Sequence, residues 1–241
     1  MQLFYNKEID TNVKIFTFDK AESKHIVRVL RKKEGDAIYI TNGKGDFITS
    51  NIISANDKRC QVEIVSVTKP KKNFGYYLHL AIAPTKNMQR LEWFLEKATE
   101  IGISEITPIL CERSERKVVK HERLEKVLIA AMKQSLKFDL PKLNEMTPLK
   151  NLLQNNLQKK KYIAHCMDRD KSSLKEELLS SCTDNNKMEV LIVIGPEGDF
   201  TDKEVTMALK NNFKPVSLGK SRLRTETAGI VATHSVAFVC E

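Results

Sequence analysis

The stretch LIVIGPEGDFTDKE, residues 191–204, decides the fold class of this chain. It opens with a continuous apolar run, which is typical of a strand buried on both faces of a parallel sheet. Gly195 and Gly198 then permit a tight turn and the close approach of a ligand to the backbone. Thr201 and Glu204 have the spacing of a capping box, so a helix is expected to begin there. The stretch predicts a strand, a turn and a helix, as in an α/β fold.

The same pattern extends outward from this stretch. YYLHLAIA (76–83), EITPIL (105–110) and KYIAHC (161–166) are further apolar runs of strand length. Between some of them, helical spacing is followed by Leu91, Phe94, Leu95, Ala98 and Ile101, and by Leu124, Val127, Leu128, Ala131 and Ser135. Such alternation predicts an α/β domain, in which ligands bind at the carboxyl ends of the strands. The turn at 195–198 is therefore a candidate ligand site.

The N-terminal part has a different character, with several short segments rich in Ile, Val, Phe and Tyr. The sequence NGKG at 42–45 is typical of a hairpin turn between two of them. The segment 22–36 predicts one short helix that ends at Gly35. Short strands with a single helix indicate a small β-barrel. The polar segment KPKKN follows as a linker, and the predicted domains are 1–72 and 73–241.

The composition favours a polyanionic partner. The chain has 40 Lys and Arg residues against 31 Asp and Glu, a formal net charge of +9, and nucleic acid is the commonest polyanion. The cysteines are scattered and odd in number, so neither a disulfide framework nor a zinc site is expected. They are Cys60, Cys111, Cys166, Cys182 and Cys240. The five histidines also lack metal-ligand spacing, and we expect them in packing or surface positions.

Neither the N-terminal segment nor the length of the apolar runs indicates a membrane protein. The N-terminus has no apolar signal core, and no apolar run approaches the roughly 20 residues of a membrane span. We therefore expect a soluble, cytoplasmic protein without a membrane or metal partner. Three familiar signatures are also absent from the sequence: a phosphate-binding P-loop, a dinucleotide G-x-G-x-x-G after a strand, and a G-x-S-x-G nucleophile elbow.

A second stretch, VSLGKSRLRTETAGIVATHSVAF at 216–238, repeats the strand-loop-helix arrangement. Its loop is basic and contains Lys220, Arg222 and Arg224. Thr225 is predicted to cap the helix, and Glu226 lies in the first turn, where the helix dipole favours an acid. The predicted buried face consists of Ala228, Val231, Ala232, Ser235 and Val239. A cationic loop before a helix N-terminus suits an anion or an RNA backbone.

Together, IGPEGDFTDKE and LGKSRLRTETA resemble the two cofactor-loop motifs of the SPOUT methyltransferases. More closely, they resemble the small-subunit ribosomal RNA methyltransferase E family, whose members make N3-methyluridine in 16S rRNA. HIVRVLRKKEGD, KNMQRLEWFLEKATEIGISEITPILCERSERK and AAMKQSLKFDLP resemble the same family, so the likeness covers essentially the whole chain. It implies an α/β fold with a C-terminal trefoil-knot methyltransferase domain and a small N-terminal PUA-like β-barrel that binds RNA. It also implies S-adenosyl-L-methionine as cofactor, a homodimer, and 16S rRNA or the small ribosomal subunit as partner.

The chain departs from the family pattern at three positions. Asp199 stands where a second glycine is usual in G-P-E-G-G, and Lys137 stands where an arginine is usual. Ser221-Arg222-Leu223-Arg224 lacks the first arginine of the usual R-I-L-R. A role for that first arginine is therefore not carried over, and replacement by Arg222 stays open.

The resemblance implies three cofactor loops, and the positions of these loops indicate candidates for the reaction centre. The cofactor-binding residues are Cys166, Met167, Ile194, Gly195, Glu197, Gly198, Leu218, Gly219, Leu223, Thr227 and Ala228. Leu218 and Leu223 are expected to sandwich the adenine. Arg224 is the candidate for stabilising negative charge on the uracil oxygens, and Glu226 is the candidate base, with Glu197 as the weaker alternative.

RNA docking is expected to use cations of both domains. The candidates are Arg28, Arg31, Lys32, Lys86, Arg90, Arg113 and Arg222, with Lys33 and Arg116 beside them. Two alternatives stay open. One is a non-catalytic RNA-binding or ribosome-assembly factor with a degenerate knot, and the other is a SPOUT methyltransferase that acts on another RNA.

Overall fold

The chain, in a computed structural model, divides into two units of contacting residues. The described residues are 1–70, 75–156, 158–181 and 188–240. The first unit comprises Met1–Lys72 and Met132–Leu140, and the second comprises Asn73–Ala131 and Pro141–Glu241. The segment Met132–Leu140 thus clusters with the N-terminal unit, although it lies within the predicted C-terminal domain, 73–241. Most of the predicted linker, residues 71–73, lies outside the described residues.

The N-terminal unit is built on one sheet. Its strands are β1 (Leu3–Tyr5), β2 (Ile15–Thr17), β3 (Ala37–Thr41), β4 (Phe47–Ser54) and β5 (Gln61–Thr68). They lie in the order β1-β3-β4-β5-β2, and every pair except β1 with β3 is antiparallel. The predicted hairpin between β3 and β4 is confirmed. Because β1 and β2 are the edges, the strand pairs of the described residues do not close the sheet into the predicted barrel.

The predicted helix of this unit ends earlier than expected. It begins after Asp19, whose side chain caps the first turn, and runs as α1 (Lys20–Lys24) into a π-helical turn (His25–Val29). The prediction that it ends at Gly35 is wrong, because Arg31 already has a left-handed φ of 54°. A non-glycine residue terminates the helix here, so the glycine signal misplaces its end.

The C-terminal unit contains the predicted parallel sheet. Its strands are β6 (Tyr76–Ile82), β7 (Glu105–Leu110), β8 (Lys142–Leu143), β9 (Thr147–Pro148), β10 (Lys160–Ala164), β11 (Ser172–Ser173), β12 (Met188–Ile194) and β13 (Lys214–Ser217). The order is β11-β13-β10-β12-β6-β7-β8, with β9 paired to β7. All of these pairs are parallel, so the prediction made from the apolar runs is confirmed.

Six helices complete the described part of this half of the chain. They are α2 (Met88–Ile101), α3 (His121–Gln134), α4 (Leu149–Gln154), α5 (Leu174–Leu179), α6 (Asp202–Lys210) and α7 (Thr225–Cys240). The predicted capping box of Thr201 and Glu204 is present at the start of α6. Four of the five predicted positions of α2 are buried, namely Leu91, Phe94, Leu95 and Ala98. In α3 the predicted face is shorter, because the helix ends at Gln134 and Ser135 lies beyond it.

The buried face of α7 differs from the prediction. Its buried residues are Thr225, Glu226, Gly229, Ala232, Thr233, Val236 and Ala237, of which only Ala232 belongs to the predicted face. A helix that is apolar nearly all round gives no periodicity from which to read its orientation. The face is instead set by packing on α2, where a Cβ added to Gly229 would lie 2.7 Å from the Phe94 ring.

The sheet order brings three strand ends together. In the parallel registers, Ala164 at the end of β10 lies opposite both Ile194 of β12 and Val216 of β13. The loops that follow these strands therefore leave the same edge of the sheet side by side. This edge is where a ligand site is expected in an open parallel sheet.

Candidate functional site

Two adjoining cavities occupy this edge of the sheet. The larger lobe, of about 480 Å³, lies between the loops after β10 and β13. The smaller lobe, of about 280 Å³, lies between the turn after β12 and the start of α7. Both lobes are lined by Ala164, Cys166, Asp199, Arg222, Leu223 and Ala228. The shared lining makes them two parts of one continuous site.

Most of the predicted cofactor residues line these lobes. Those of the larger lobe are Cys166, Met167, Leu218, Gly219, Leu223 and Ala228. The smaller lobe adds Ile194, Gly195 and Glu197. Gly198 and Thr227 are not among the lining residues of either lobe. The structure thus gathers residues from three distant parts of the sequence around one space.

Asp199, the departure from the family pattern, joins two of the loops. Its backbone is left-handed with φ of 60°, and its N–H donates to the Pro196 carbonyl at 2.9 Å. Its Oδ2 accepts a hydrogen bond of 2.9 Å from the N–H of Cys166. Asp199 also lines both lobes, so this residue belongs to the wall of the site.

The turn after β12 is braced from the other side. The Arg113 guanidinium donates to the carbonyls of Gly198 (3.0 Å) and Phe200 (3.2 Å). The Glu197 Oε1 accepts a hydrogen bond of 2.9 Å from the backbone N–H of Lys86. Arg113 is a predicted RNA contact, but its charged group is engaged in holding this turn. Glu197 is likewise held at the rim of the smaller lobe.

The two predicted catalytic residues are adjacent in sequence but differ in environment. Arg224 is exposed and lines the smaller lobe. Glu226 is only 6% exposed, and its Oε1 lies 3.8 Å from Nε of Arg90. Its Oε2 has no hydrogen-bond partner among the described residues, and the residue lines neither lobe. Thr225 lies between these two residues in the sequence. Its hydroxyl donates to the Gly195 carbonyl at 3.1 Å and so ties α7 to the turn. The prediction that Thr225 caps α7 did not include this contact.

The other predicted RNA-binding residues fall on both units. In the N-terminal unit, Arg28 is paired with Asp57 at 2.8 Å, Arg31 is exposed and Lys32 is half-buried. In the C-terminal unit, Nζ of Lys86 lies 2.8 Å from Glu115. A further cavity of about 340 Å³ in that unit is lined by Met88, Arg116, Val118, Val119, Lys120 and Arg123. Several of these cations therefore already have acidic neighbours.

The sequence predicted only a packing or surface position for His165, whereas the structure places it in the wall of the larger lobe. It follows β10 directly, is 6% exposed and lines the larger lobe. Burial, with Lys171 next in importance, lowers the pKa of its imidazole, while Asp199 opposes that shift. Its place immediately after a strand that ends at the ligand edge is the signal that would have identified it.

The described residues contain no group of three or more His, Cys, Asp or Glu side chains arranged to hold a metal ion. Across the same residues, every helix is too short or too polar to pass through a bilayer.

Two protein-family models match the chain, one in its C-terminal part and one in its N-terminal part. The model of an RNA methyltransferase domain matches residues 72–237, and the model of an RNA methyltransferase PUA domain matches residues 18–65. A "Ribosomal RNA small subunit methyltransferase E" of Rickettsia conorii is 29% identical over 98% of this chain and 94% of its own. The protein of the same name from Bacillus subtilis is 27% identical over 94% of this chain and 91% of its own.

Solved structures agree with the fold. A probable rRNA-methyltransferase of Porphyromonas gingivalis has a TM-score of 0.90 at 39% identity and covers 100% of this chain and 98% of its own. A Legionella pneumophila protein solved with bound S-adenosylmethionine has a TM-score of 0.84 at 26% identity, covering 97% of this chain and 96% of its own.

Proposed function

This chain belongs to the RNA methyltransferase family, and we propose that it transfers the methyl group of S-adenosylmethionine to RNA of the small ribosomal subunit. The observation that carries the proposal is the two-lobed site at the ends of β10, β12 and β13, lined by the two motif loops. The names of the curated relatives and the bound ligand of the Legionella structure support the substrate and the cofactor.

The lobes fit the two ends of S-adenosylmethionine. The larger lobe presents apolar side chains of Val216, Leu218 and Leu223, which suit an adenine base. The smaller lobe presents Glu197 and Arg224, which suit the reacting end and the incoming RNA base. When bound, the cofactor supplies an activated methyl group, so the protein's contribution is binding, orientation and electrostatics.

For the reaction we propose N3 of a uridine in 16S rRNA as the acceptor. The N3 proton must leave before or during attack, and negative charge then develops on the uracil oxygens. Arg224 would stabilise that charge from the rim of the smaller lobe. Glu226 is the proposed proton acceptor, because its Oε2 has no hydrogen-bond partner among the described residues, although the residue lines neither lobe in this structure. Single-turnover rates test this role: Glu226→Gln should slow transfer by at least tenfold, about 1.4 kcal/mol in the barrier, and a normal rate would exclude it.

RNA docking is proposed to use the basic residues of both units. Arg31 and Arg222 are the better candidates, because both are exposed. By contrast, Arg28, Lys86 and Arg90 have acidic partners, and Arg113 holds the turn after β12. Phosphate contacts make binding fall steeply with salt, so replacing Arg31 or Arg222 by alanine should reduce the salt dependence of RNA affinity.

A knotted C-terminal domain and a homodimer complete the proposal. The knot is supported by the family resemblance and by the 218–228 segment, which folds back on the turn through the Thr225 hydroxyl bond to Gly195. The dimer is supported by the resemblance and by an exposed ring pair on α7, in which His234 stacks on Phe238 with centroids 5.9 Å apart. Sedimentation equilibrium of the full chain tests the dimer.

Two experiments separate this function from its alternatives. Calorimetry should detect binding of S-adenosylmethionine, whereas a non-catalytic assembly factor with a degenerate knot would bind none. Mass spectrometry of 16S rRNA from a strain that lacks the gene should show the loss of N3-methyluridine. Its persistence would favour a methyltransferase that acts on another RNA.

A further inference from the structure

A cavity of about 340 Å³ lies at the start of α3, apart from the two lobes of the proposed cofactor site. This α3 cavity is lined, among the described residues, by Met88, Arg116, Val118, Val119, Lys120 and Arg123. None of these residues lines either lobe. Small-molecule sites have volumes of roughly 300–1,000 Å³, so the α3 cavity has room for a group of nucleotide size.

The lining of the α3 cavity combines apolar and cationic side chains. Val118 is 74% exposed, and Met88 and Val119 are half-buried, so this apolar wall has surface that a ligand can cover. Lys120 is exposed, two further lining residues are arginines, and no acidic residue belongs to the described lining. Apolar surface beside cations matches a nucleotide, whose base has flat apolar faces and whose phosphate is an anion.

The two arginines of the α3 cavity differ in the charge that they can offer. Nη2 of Arg116 donates to the Lys86 carbonyl at 2.6 Å, and Nη2 of Arg123 donates to Oε2 of Glu92 at 3.0 Å. Glu92 offsets the charge of Arg123, whereas a neutral carbonyl leaves the charge of Arg116 in place. Arg116 and Lys120 are therefore the cations suited to a phosphate, and the guanidinium of Arg116 is already positioned for it.

A single residue connects the α3 cavity to the smaller lobe. The Lys86 N–H donates to Oε1 of Glu197, which lines that lobe. The Lys86 carbonyl accepts the hydrogen bond from Arg116, which lines the cavity. The two spaces are thus neighbours in the C-terminal unit, and one RNA strand can occupy both.

We propose that the α3 cavity binds a nucleotide next to the target uridine, with its base against Val118 and its phosphate on Arg116 and Lys120. The inference rests on the proposed function, because that function places the target base in the smaller lobe. An apolar wall contacts the face of a base and does not read its edge, so the cavity accepts any of the four bases. Its contribution is to hold the strand in register rather than to select a sequence.

Fluorescence anisotropy with two single strands of equal length tests the nucleotide contact. One is a mixed-sequence RNA, and the other is its abasic counterpart, which keeps only the ribose-phosphate backbone. Val118→Ser should weaken binding of the RNA by about fivefold, the scale of one lost base contact, and leave the abasic strand unaffected. Lys120→Ala should weaken both strands and reduce the slope of log affinity against log salt by about one. Leu209→Ser and Lys210→Ala, at exposed positions of α6, are the matched controls and should change neither affinity.

Methyl transfer to small ribosomal subunits tests the place of this nucleotide beside the target. Val118→Ser should raise the KM for subunits by a similar factor and leave the KM for S-adenosylmethionine unchanged. An unchanged KM for subunits would overturn the flanking position.

The other outcomes separate the α3 cavity from the function itself. Equal losses for both strands in Val118→Ser, or no loss in either, would overturn the base contact, and unchanged binding in Lys120→Ala would overturn the phosphate contact. A lower oligomeric state of Val118→Ser in sedimentation equilibrium would make the cavity a contact between copies of this chain and overturn the proposal. A wild-type chain that shows the expected strand binding but methylates no subunits would overturn the proposed function and the flanking position, while the nucleotide contact stands.

Discussion

Asp199 performs two tasks in the turn after β12. The backbone there needs a left-handed φ of 60°, which glycine adopts most easily and which aspartate tolerates better than most residues. In return, its carboxylate accepts the Cys166 N–H and links the turn after β12 to the loop after β10. The departure from the usual glycine thus adds a connection between two cofactor loops.

Substitution of Asp199 should separate these two tasks. Asp199→Ala loses the acceptor and disfavours the left-handed backbone, so we expect a loss of about 1–2 kcal/mol in the free energy of unfolding. Asp199→Asn keeps an acceptor and tolerates the conformation, so its stability should lie close to that of the wild type. Urea denaturation of both variants provides the measurement, and equal stabilities would contradict the proposed link.

Gly195 allows close packing inside the same turn. A Cβ at this position would lie 2.9 Å from the ring of Phe200, which is fully buried. Gly195→Ala should therefore destabilise the fold by about 1–3 kcal/mol, the usual cost of overpacking. Gly198→Ala is the control, because its Cβ would come no closer than 3.3 Å to any atom, the Cβ of Arg113, and its next contacts are at the ordinary distances of 3.6 and 3.7 Å. Thermal unfolding that gave Gly195→Ala the smaller effect would refute this packing argument.

At the scale of elements, the sequence predicted strands and strand-end turns better than helix faces. The apolar runs located β6, β7, β10 and β12, since strands buried on both faces need no alternation. The orientation of α7 was not predictable, because apolar residues surround the helix and its contacts depend on α2. The end of α1 was missed because a left-handed arginine, not a glycine, terminates it.

Because α7 packs on α2, replacing Gly229 by alanine is expected to destabilise the fold, although alanine has the higher helix propensity. In an exposed helix, Gly→Ala stabilises by up to about 1 kcal/mol. At Gly229 the added Cβ would lie 2.7 Å from two ring atoms of Phe94 and 3.0 Å from Ile82. We therefore expect Gly229→Ala to lower the free energy of unfolding, measured in urea. An increase would mean that the two helices separate more easily than the structure indicates.

At the scale of the whole molecule, the site depends on strand order. The two motifs identified two loops, but the pairing of β10 between β12 and β13 places His165 and the third loop beside them. Strand order arises from long-range packing, which a local pattern does not contain. For this reason the position of His165 and the bracing roles of Arg113 and Asp199 could not be predicted. The cofactor residues implied by the family resemblance stay predictions, and most of them line the two lobes.

Acid stability of the C-terminal unit should depend on Glu105. Burial would raise the pKa of this carboxyl, but hydrogen bonds from Asn144, Lys142 and Tyr77 outweigh it and hold the pKa at about 2. A lowered pKa stabilises the folded state fully above the ordinary value of 4.5, and the contribution is lost as pH falls toward about 2.

The test is to measure unfolding free energy against pH. Glu105→Gln should be less stable than the wild type near neutral pH, and the difference should shrink between about pH 4.5 and 2. Glu176→Gln, at an exposed position of α5, is the control and should follow the wild-type curve. A constant difference across this range would exclude Glu105 as the titrating group.

The proposed reaction is methyl transfer to N3 of a uridine in small-subunit rRNA. Its most direct test incubates the purified full chain with S-adenosylmethionine and small ribosomal subunits from a strain lacking the gene, then quantifies methylated nucleosides by mass spectrometry. We expect new N3-methyluridine in 16S rRNA with the wild-type chain and little with Arg224→Ala. Absence of methylation, or a methyl group on a different nucleoside, would contradict it.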